Sequence, residues 1–216
     1  AIVSASGGTG SYSYLWNDPA VQTGPSANNL PAGNYAVVVT DANGCTAQIP
    51  IAINEPPALE AQLTSFSAPL CFGQNNGSAT VSVTGGTGAY SYQWNDPALQ
   101  SSATAANLAP GDYSVSIRDA NNCATSISVN IPVTPAIVIS LLSQSDPVCA
   151  GDSNGSLSVT VSGGTGTLSY AWSNGQSSTA LSNLPSGNYT LSVTDSNGCE
   201  QVQAFDLVPA PEIMIQ

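Results

Sequence analysis

Three copies of one pattern, set 78 residues apart, constrain this chain more than any other feature of it. GGTG stands at Gly7–Gly10, Gly85–Gly88 and Gly163–Gly166, and a tryptophan follows at the same step, at Trp16, Trp94 and Trp172. Gly33, Gly111 and Gly187 are 78 and then 76 residues apart, which places a two-residue contraction between Trp172 and Gly187. The proline-containing junctions EPPALEA, VTPAIVI and PAPEIMI put boundaries near Pro57, Pro135 and Pro211. The expected organisation is a partial repeat over 1–57, complete repeats over 58–134 and 135–210, and the start of a further repeat over 211–216. The first repeat lacks everything equivalent to Leu59 through Asn76, and EIMIQ matches an opening strand, as in a window cut from a longer array. In such arrays each copy is one structural unit that stacks on its neighbours.

Within a repeat the alternation is that of β-strands. SATVSVT at Ser78–Thr84 alternates apolar and polar residues, as a half-buried strand does. YSYQW puts Tyr90, Tyr92 and Trp94 on one face, and DYSVSIRD puts Tyr113, Val115 and Ile117 on one face. ATSISVNI follows after the turn ANNC, which reads ANGC and SNGC in the other repeats; Asn-Gly between alternating runs is a strong hairpin signal. No segment carries a sustained 3.6-residue period. Six or seven short strands in some 77 residues imply an all-β chain of tandem immunoglobulin-like β-sandwich repeats. Trp16, Trp94 and Trp172 are then expected in the cores, with sugar stacking as the alternative use of an indole face. Tyr35, Tyr113 and Tyr189 follow L-x-x-G-x, a pattern similar to the tyrosine corner, and are expected to be core residues too.

Composition removes most other functions. Arg118 is the one basic side chain, there is no histidine, and 13 carboxylates give a formal charge of −12. A nucleic-acid surface needs a basic stripe, and an anionic membrane surface needs clustered cations. No apolar run approaches the ~20 residues that span a bilayer. Imidazole and lysine chemistry is absent, and no Ser-His-Asp, Cys-His or P-loop arrangement exists, so the chain does not read as an enzyme. The D-x-N-G and D-x-N-N turns offer Asp41, Asp119 and Asp195 as calcium candidates, with GDSNG at Gly151–Gly155 as another. Each supplies one carboxylate, whereas calcium takes six to eight oxygens, and no cofactor is expected. Asn76, Asn154 and Asn188 fit N-x-S/T, a triplet that arises often by chance in so Ser- and Asn-rich a chain.

Five cysteines fall into two kinds: Cys45, Cys123 and Cys199 in the hairpin turn, and Cys71 and Cys149 after the first strand. Pairing within repeats joins Cys71 to Cys123 and Cys149 to Cys199, and sends Cys45 to a partner outside the chain. Pairing across junctions joins Cys45 to Cys71 and Cys123 to Cys149. If six strands alternate up and down, the first connection and the last hairpin share a pole, which favours pairing within repeats. Closing such a loop contributes about 4 kcal/mol in the chain-entropy account, and disulfides imply an oxidising, extracellular setting.

The ordered set of motifs resembles the SprB-type repeat of gliding-bacterium surface adhesins. It is carried by Cys71 with NNGSATVSVTGGTG, YSYQW and LAPGDYSVSIRDANNC; by Cys149 with SNGSLSVTVSGGTG, LSYAW and LPSGNYTLSVTDSNGC; and by GGTGSYSYLW to LPAGNYAVVVTDANGC. The Y-x-V-x-V-T-D-x-N-G portion is also similar to PKD domains. Departures are Asn122 in place of Gly44 and Gly198, and Arg118 in place of threonine. The resemblance implies very large proteins, exported by the type IX route, displayed at the cell surface as filaments and moved to drive gliding; it defines no catalytic or ligand-binding residue. The expected function is therefore the stalk or filament of a secreted adhesin, with neighbouring repeats as partners and no nucleic acid or membrane insertion. Two alternatives stand beside it. Each repeat could be a weak polysaccharide-binding module acting by avidity, or the chain could polymerise by strand donation, EIMIQ completing the truncated first repeat of the next molecule; extracellular polysaccharide or like filaments are the further partners considered.

Overall fold

The computed structural model describes residues 1–209 and 211; EIMIQ, expected to open a further repeat, lies outside the described residues. The chain divides into two units, Ala1–Ala58 and one beginning at Leu59. In the second unit, repeat two supplies β4 (Glu60–Ser67), β5 (Gly77–Thr84), β6 (Ser91–Trp94), β7 (Thr104–Leu108), β8 (Gly111–Arg118) and β9 (Ala124–Ile131). Repeat three supplies β10 (Val138–Ser145), β11 (Gly155–Ser162), β12 (Ser169–Trp172), β13 (Ala180–Leu184), β14 (Gly187–Thr194) and β15 (Glu200–Leu207). Each repeat is a sandwich of two antiparallel three-stranded sheets, β4-β5-β7 over β6-β8-β9 and β10-β11-β13 over β12-β14-β15. The first unit has β1 (Ser13–Trp16), β2 (Gly33–Thr40) and β3 (Thr46–Ile53) as one sheet. Facing that sheet is a bridge between Ile2 and Ser26, flanked by the bond from Val3 N–H to the Pro25 carbonyl, 2.8 Å, and by bonds between Ala1 and Ala27 in both directions, 3.0 and 2.8 Å. The chain is thus all-β, in tandem immunoglobulin-like sandwiches.

Alternation in sequence becomes alternation in burial. Ala79 and Val81 of β5, Val115 and Ile117 of β8, and Val129 and Ile131 of β9 are buried around Trp94. Repeat three builds the same cluster from Leu157, Val159, Leu191, Val193, Phe205 and Leu207 around Trp172. Each indole N–H donates to a carbonyl of the segment that follows: Trp16 to Gly24 at 2.9 Å, Trp94 to Ser102 at 2.9 Å, and Trp172 to Ser178 at 2.8 Å. The ring therefore fills the core while its one polar atom is satisfied, as a buried indole requires.

The segment after the tryptophan carries the chain from one sheet to the other. In repeat two, Asp96 is buried in that connection and accepts from the Ala98 N–H (3.0 Å), the Gln100 N–H (2.9 Å) and the Gln100 amide (3.0 Å). Gln100 then bonds both backbone groups of Ala106. Asp18 and Gln22 repeat the arrangement toward Asn28 in the first unit. Repeat three replaces it by a tight turn, with the Trp172 N–H bonded to the Gln176 carbonyl where Trp94 reaches Gln100. The two-residue contraction lies here.

This crossing sets the polarity of the repeat. One pole gathers the pairs Ser67↔Ser78, Gly77↔Leu108 and Gly111↔Ile131; the other gathers Glu60↔Thr84, Ser91↔Arg118 and Arg118↔Ala124. Both β6 and β7 run toward the first pole, so the strands do not simply alternate up and down. The loop holding Cys71 is at the first pole and the hairpin holding Cys123 at the second. An eight-residue strand of about 27 Å separates them, against the ~7 Å limit between bridged Cα atoms. The expected links from Cys71 to Cys123 and from Cys149 to Cys199 do not form.

Truncating Trp94 to alanine is expected to lower stability by about 3–5 kcal/mol. Urea unfolding followed by far-ultraviolet circular dichroism checks this; a loss under about 1 kcal/mol would mean the ring does not hold the core.

Candidate functional site

The β8–β9 and β14–β15 hairpins and their counterpart in the first unit are built on one aspartate. Asp119 Oδ1 accepts from the Asn121 and Cys123 N–H groups and Oδ2 from the Thr87 N–H, all at 2.9 Å. The Ala120 N–H returns a bond to the Thr87 carbonyl, 3.0 Å. Asp41 holds Asn43, Cys45 and Thr9 in the same way, and Asp195 holds Asn197, Cys199 and Thr165. The clasp ties the hairpin to the GGTG turn. A Cβ at Gly86 would stand 2.9 Å from Asp119 Oδ2, and Gly86 has φ +66°, so this close approach needs glycine. The turn's last position needs a left-handed residue as well: Gly44 and Gly198 have φ +83° and +80°, and Asn122 takes +63° in their place. Asparagine is the side-chain-bearing residue that tolerates this conformation best.

The same bonds account for the electrostatics. At Asp119 and Asp195 burial favours the neutral acid, but the N–H donors of Thr87, Cys123 and Asn121, and of Cys199, Thr165 and Asn197, outweigh it and hold both carboxyls below the ordinary value. At Asp41 the Cys45 and Thr9 N–H groups act in the same direction. The calcium candidates are thus already engaged by backbone donors, and a cation would have to displace three N–H groups from each. Among the described residues no three His, Cys, Asp or Glu side chains gather into a metal-binding group.

The clasped hairpin of repeat three abuts the first-pole loop of repeat two. Cys199 is bonded to Cys71 across this joint, with 5.6 Å between Cα atoms and 128 residues between them in sequence. The Asn197 amide donates to the Leu70 carbonyl, 3.1 Å. Buried Thr134, in the linker, donates its hydroxyl to the Pro69 carbonyl. Cys45, Cys123 and Cys149 are unbonded and exposed. The cysteine pairing is therefore neither within a repeat nor between Cys45 and Cys71 or Cys123 and Cys149; it joins the loop of one repeat to the hairpin of the next. A cleft of ≈ 280 Å³ beside the bond is lined by Phe72, Gln74, Pro135, Ile137 and Gln201 among others.

The aromatic candidates are placed as follows. Trp16, Trp94 and Trp172 are 1%, 0% and 4% exposed. The hydroxyls of Tyr35, Tyr113 and Tyr189 donate to the Pro31, Ala109 and Pro185 carbonyls at 3.0, 3.0 and 2.9 Å, each four residues upstream. Tyr189 is buried, but Tyr35 and Tyr113 are only half-buried, a correction to their expected core position. Their rings brace the turn at the end of the sandwich, where the phenol tip reaches water. The buried carboxylates of Asp18 and Asp96 are not among the sequence candidates, and the signal that marks them is the N-D-P triplet repeated at 17–19 and 95–97.

The SprB repeat family matches residues 2–21, 64–99 and 141–177, the corresponding piece of each repeat. No curated protein matches the chain. Among solved structures the chain is similar to Dpr2 Ig1-Ig2 in complex with DIP-Theta Ig1-Ig3, at 13% identity and TM-score 0.36, covering 92% of this chain and 89% of that one. It is also similar to the surface layer protein SbsC, domains 4–9, at 15% identity and TM-score 0.27, covering 92% and 39%. A tetra-tandem repeat from the extending region of a large adhesion protein matches at 16% identity and TM-score 0.27, covering 91% and 66%.

Because the folded carboxyls of Asp41, Asp119 and Asp195 are held below their unfolded value, their contribution is complete above that value and is lost as pH falls through the folded one. The melting temperature is expected to stay level from pH 7 to about 5 and to fall below about pH 4. Asp119→Asn should lower it at neutral pH and flatten the acid limb; an unchanged limb would mean the clasp does not couple to folding.

Proposed function

We propose that the chain is part of a structural repeat array forming the stalk or filament of a secreted bacterial cell-surface adhesin, of the kind used in gliding motility and exported by the type IX route. The observation that carries this reading is the covalent joint between repeats two and three. A bond that closes a joint contributes little to recognising a ligand and much to keeping successive repeats in line under tension. Burial of all three tryptophans supports the same reading, because it removes the flat indole platform that a polysaccharide-binding module would present. Among the described residues no helix is long and apolar enough to cross a membrane. The sparse negative charge, opposed by the single basic side chain of Arg118, keeps neighbouring filaments weakly repelling.

Strand donation between copies of the chain is the alternative mode of assembly. Light scattering on the purified chain separates the two: a stable monomer supports the stalk, and length growth with concentration supports donation.

Pulling the chain from its ends tests load-bearing. With the Cys71–Cys199 bond intact, the 128-residue span between the cysteines is shielded from force. Reduction should then release about 42–46 nm of extra extension. Identical traces before and after reductant would sink the reading.

A further inference from the structure

Both halves of the joint recur, already shaped, at Cys149 and at Cys45 and Cys123. Cys149 sits in the same loop as Cys71. The Asp152 N–H bonds the Cys149 carbonyl at 3.1 Å where the Gln74 N–H bonds the Cys71 carbonyl at 3.2 Å. The Asn154 side-chain oxygen accepts from the Val148 N–H at 3.1 Å where Asn76 accepts from Leu70 at 2.9 Å. Val148 is 66% exposed, at the position whose Leu70 carbonyl takes the bond from Asn197. On the other side, Cys45 and Cys123 are held by Asp41 and Asp119 at 2.9 Å as Cys199 is by Asp195. The turn asparagine that reaches Leu70 has counterparts in Asn43 and Asn121.

We infer that Cys149 bonds the hairpin cysteine of a following repeat of this type, and that Cys123 and Cys45 bond the loop cysteine of the repeat before theirs, so that every joint of the array carries the same cross-link. This rests on the stalk reading and gives it a covalent mechanism. Each bond forms as two thiols lose two protons and two electrons to the disulfide of an exchange partner, which leaves as a dithiol.

The consequence lies in how the links overlap. Cys149 falls inside the span from Cys71 to Cys199, so successive loops interlock rather than follow one another. A load entering at Cys71 passes directly to Cys199, then along a junction segment, then into the next link. Those segments are short: Cys45 to Cys71 and Cys123 to Cys149 are both 26 residues apart. One such segment, about 9 nm when fully extended, carries the load for two repeats. Two unlinked repeats would extend to about 50–55 nm. The array behaves as a laced cable whose unravelling is capped about sixfold below that of its chain.

The test is residues 1–210 followed by two further copies of residues 135–210, with free thiols blocked before digestion without reductant and mass spectrometry of the linked peptides. Expected links are Cys71 to Cys199, Cys149 to the first added hairpin cysteine, and the first added loop cysteine to the second added hairpin cysteine. Links within repeats, or Cys149 recovered with its thiol blocked while Cys71–Cys199 is present, would overturn the inference. Cys149→Ser should free the first added hairpin cysteine and leave the Cys71–Cys199 link in place. Small-angle scattering on the same chains separates the underlying reading. A maximum dimension that fails to grow with each added copy would sink the stalk while the links stood.

Discussion

Everything distinctive in these repeats hangs on one carboxylate per copy. Asp41, Asp119 and Asp195 each gather three backbone N–H groups and thereby lock the last hairpin onto the GGTG turn. A surface aspartate in water contributes little, but one that collects charge-assisted bonds from otherwise unpaired donors fixes the whole turn. The glycines of GGTG exist for this contact, since a side chain at Gly86 would collide with the acid it must approach. Because the cysteine is the last residue of the clasped turn, the clasp also determines where its sulfur points.

Polarity of the sandwich then decides what that sulfur meets. The connection after each tryptophan crosses between sheets and leaves β6 and β7 pointing the same way, which sends the first loop and the last hairpin to opposite ends. A repeat so built cannot staple itself. It presents one thiol at each end, and stacking brings unlike ends together, as Cys71 and Cys199 show. Asn197 reinforces the same contact with a bond to the Leu70 carbonyl, and Thr134 holds that loop onto its own repeat through the Pro69 carbonyl.

Edges are protected by means other than charge. With one basic residue in the chain, lysine gatekeeping of exposed strands is not available. Pro50 lies within β3, an outer strand of its sheet, opposite Ala36, where a missing N–H on the free side costs no ladder bond. Short strands of four and five residues at β6, β7, β12 and β13 limit one outer edge of each sheet in the complete repeats, while the opposite edges, β4, β9, β10 and β15, are eight residues long.

The sequence by itself determined the period, the strands and the residues of the core. Burial on a strand follows a two-residue alternation, which is local, so Val115, Ile117 and Trp94 could be placed from their spacing alone. Hairpin ends were legible for the same reason, since Asp and Gly or Asn act within five residues of each other. Only the tertiary structure decided the partners of the cysteines and the half-exposure of Tyr35 and Tyr113. Alternation says which face a residue takes, not which end of the sandwich a strand reaches. That depends on whether a connection reverses the chain or carries it across, and the N-D-P triplet that marks the buried Asp96 lies outside the strand alternation and does not say which way the chain turns.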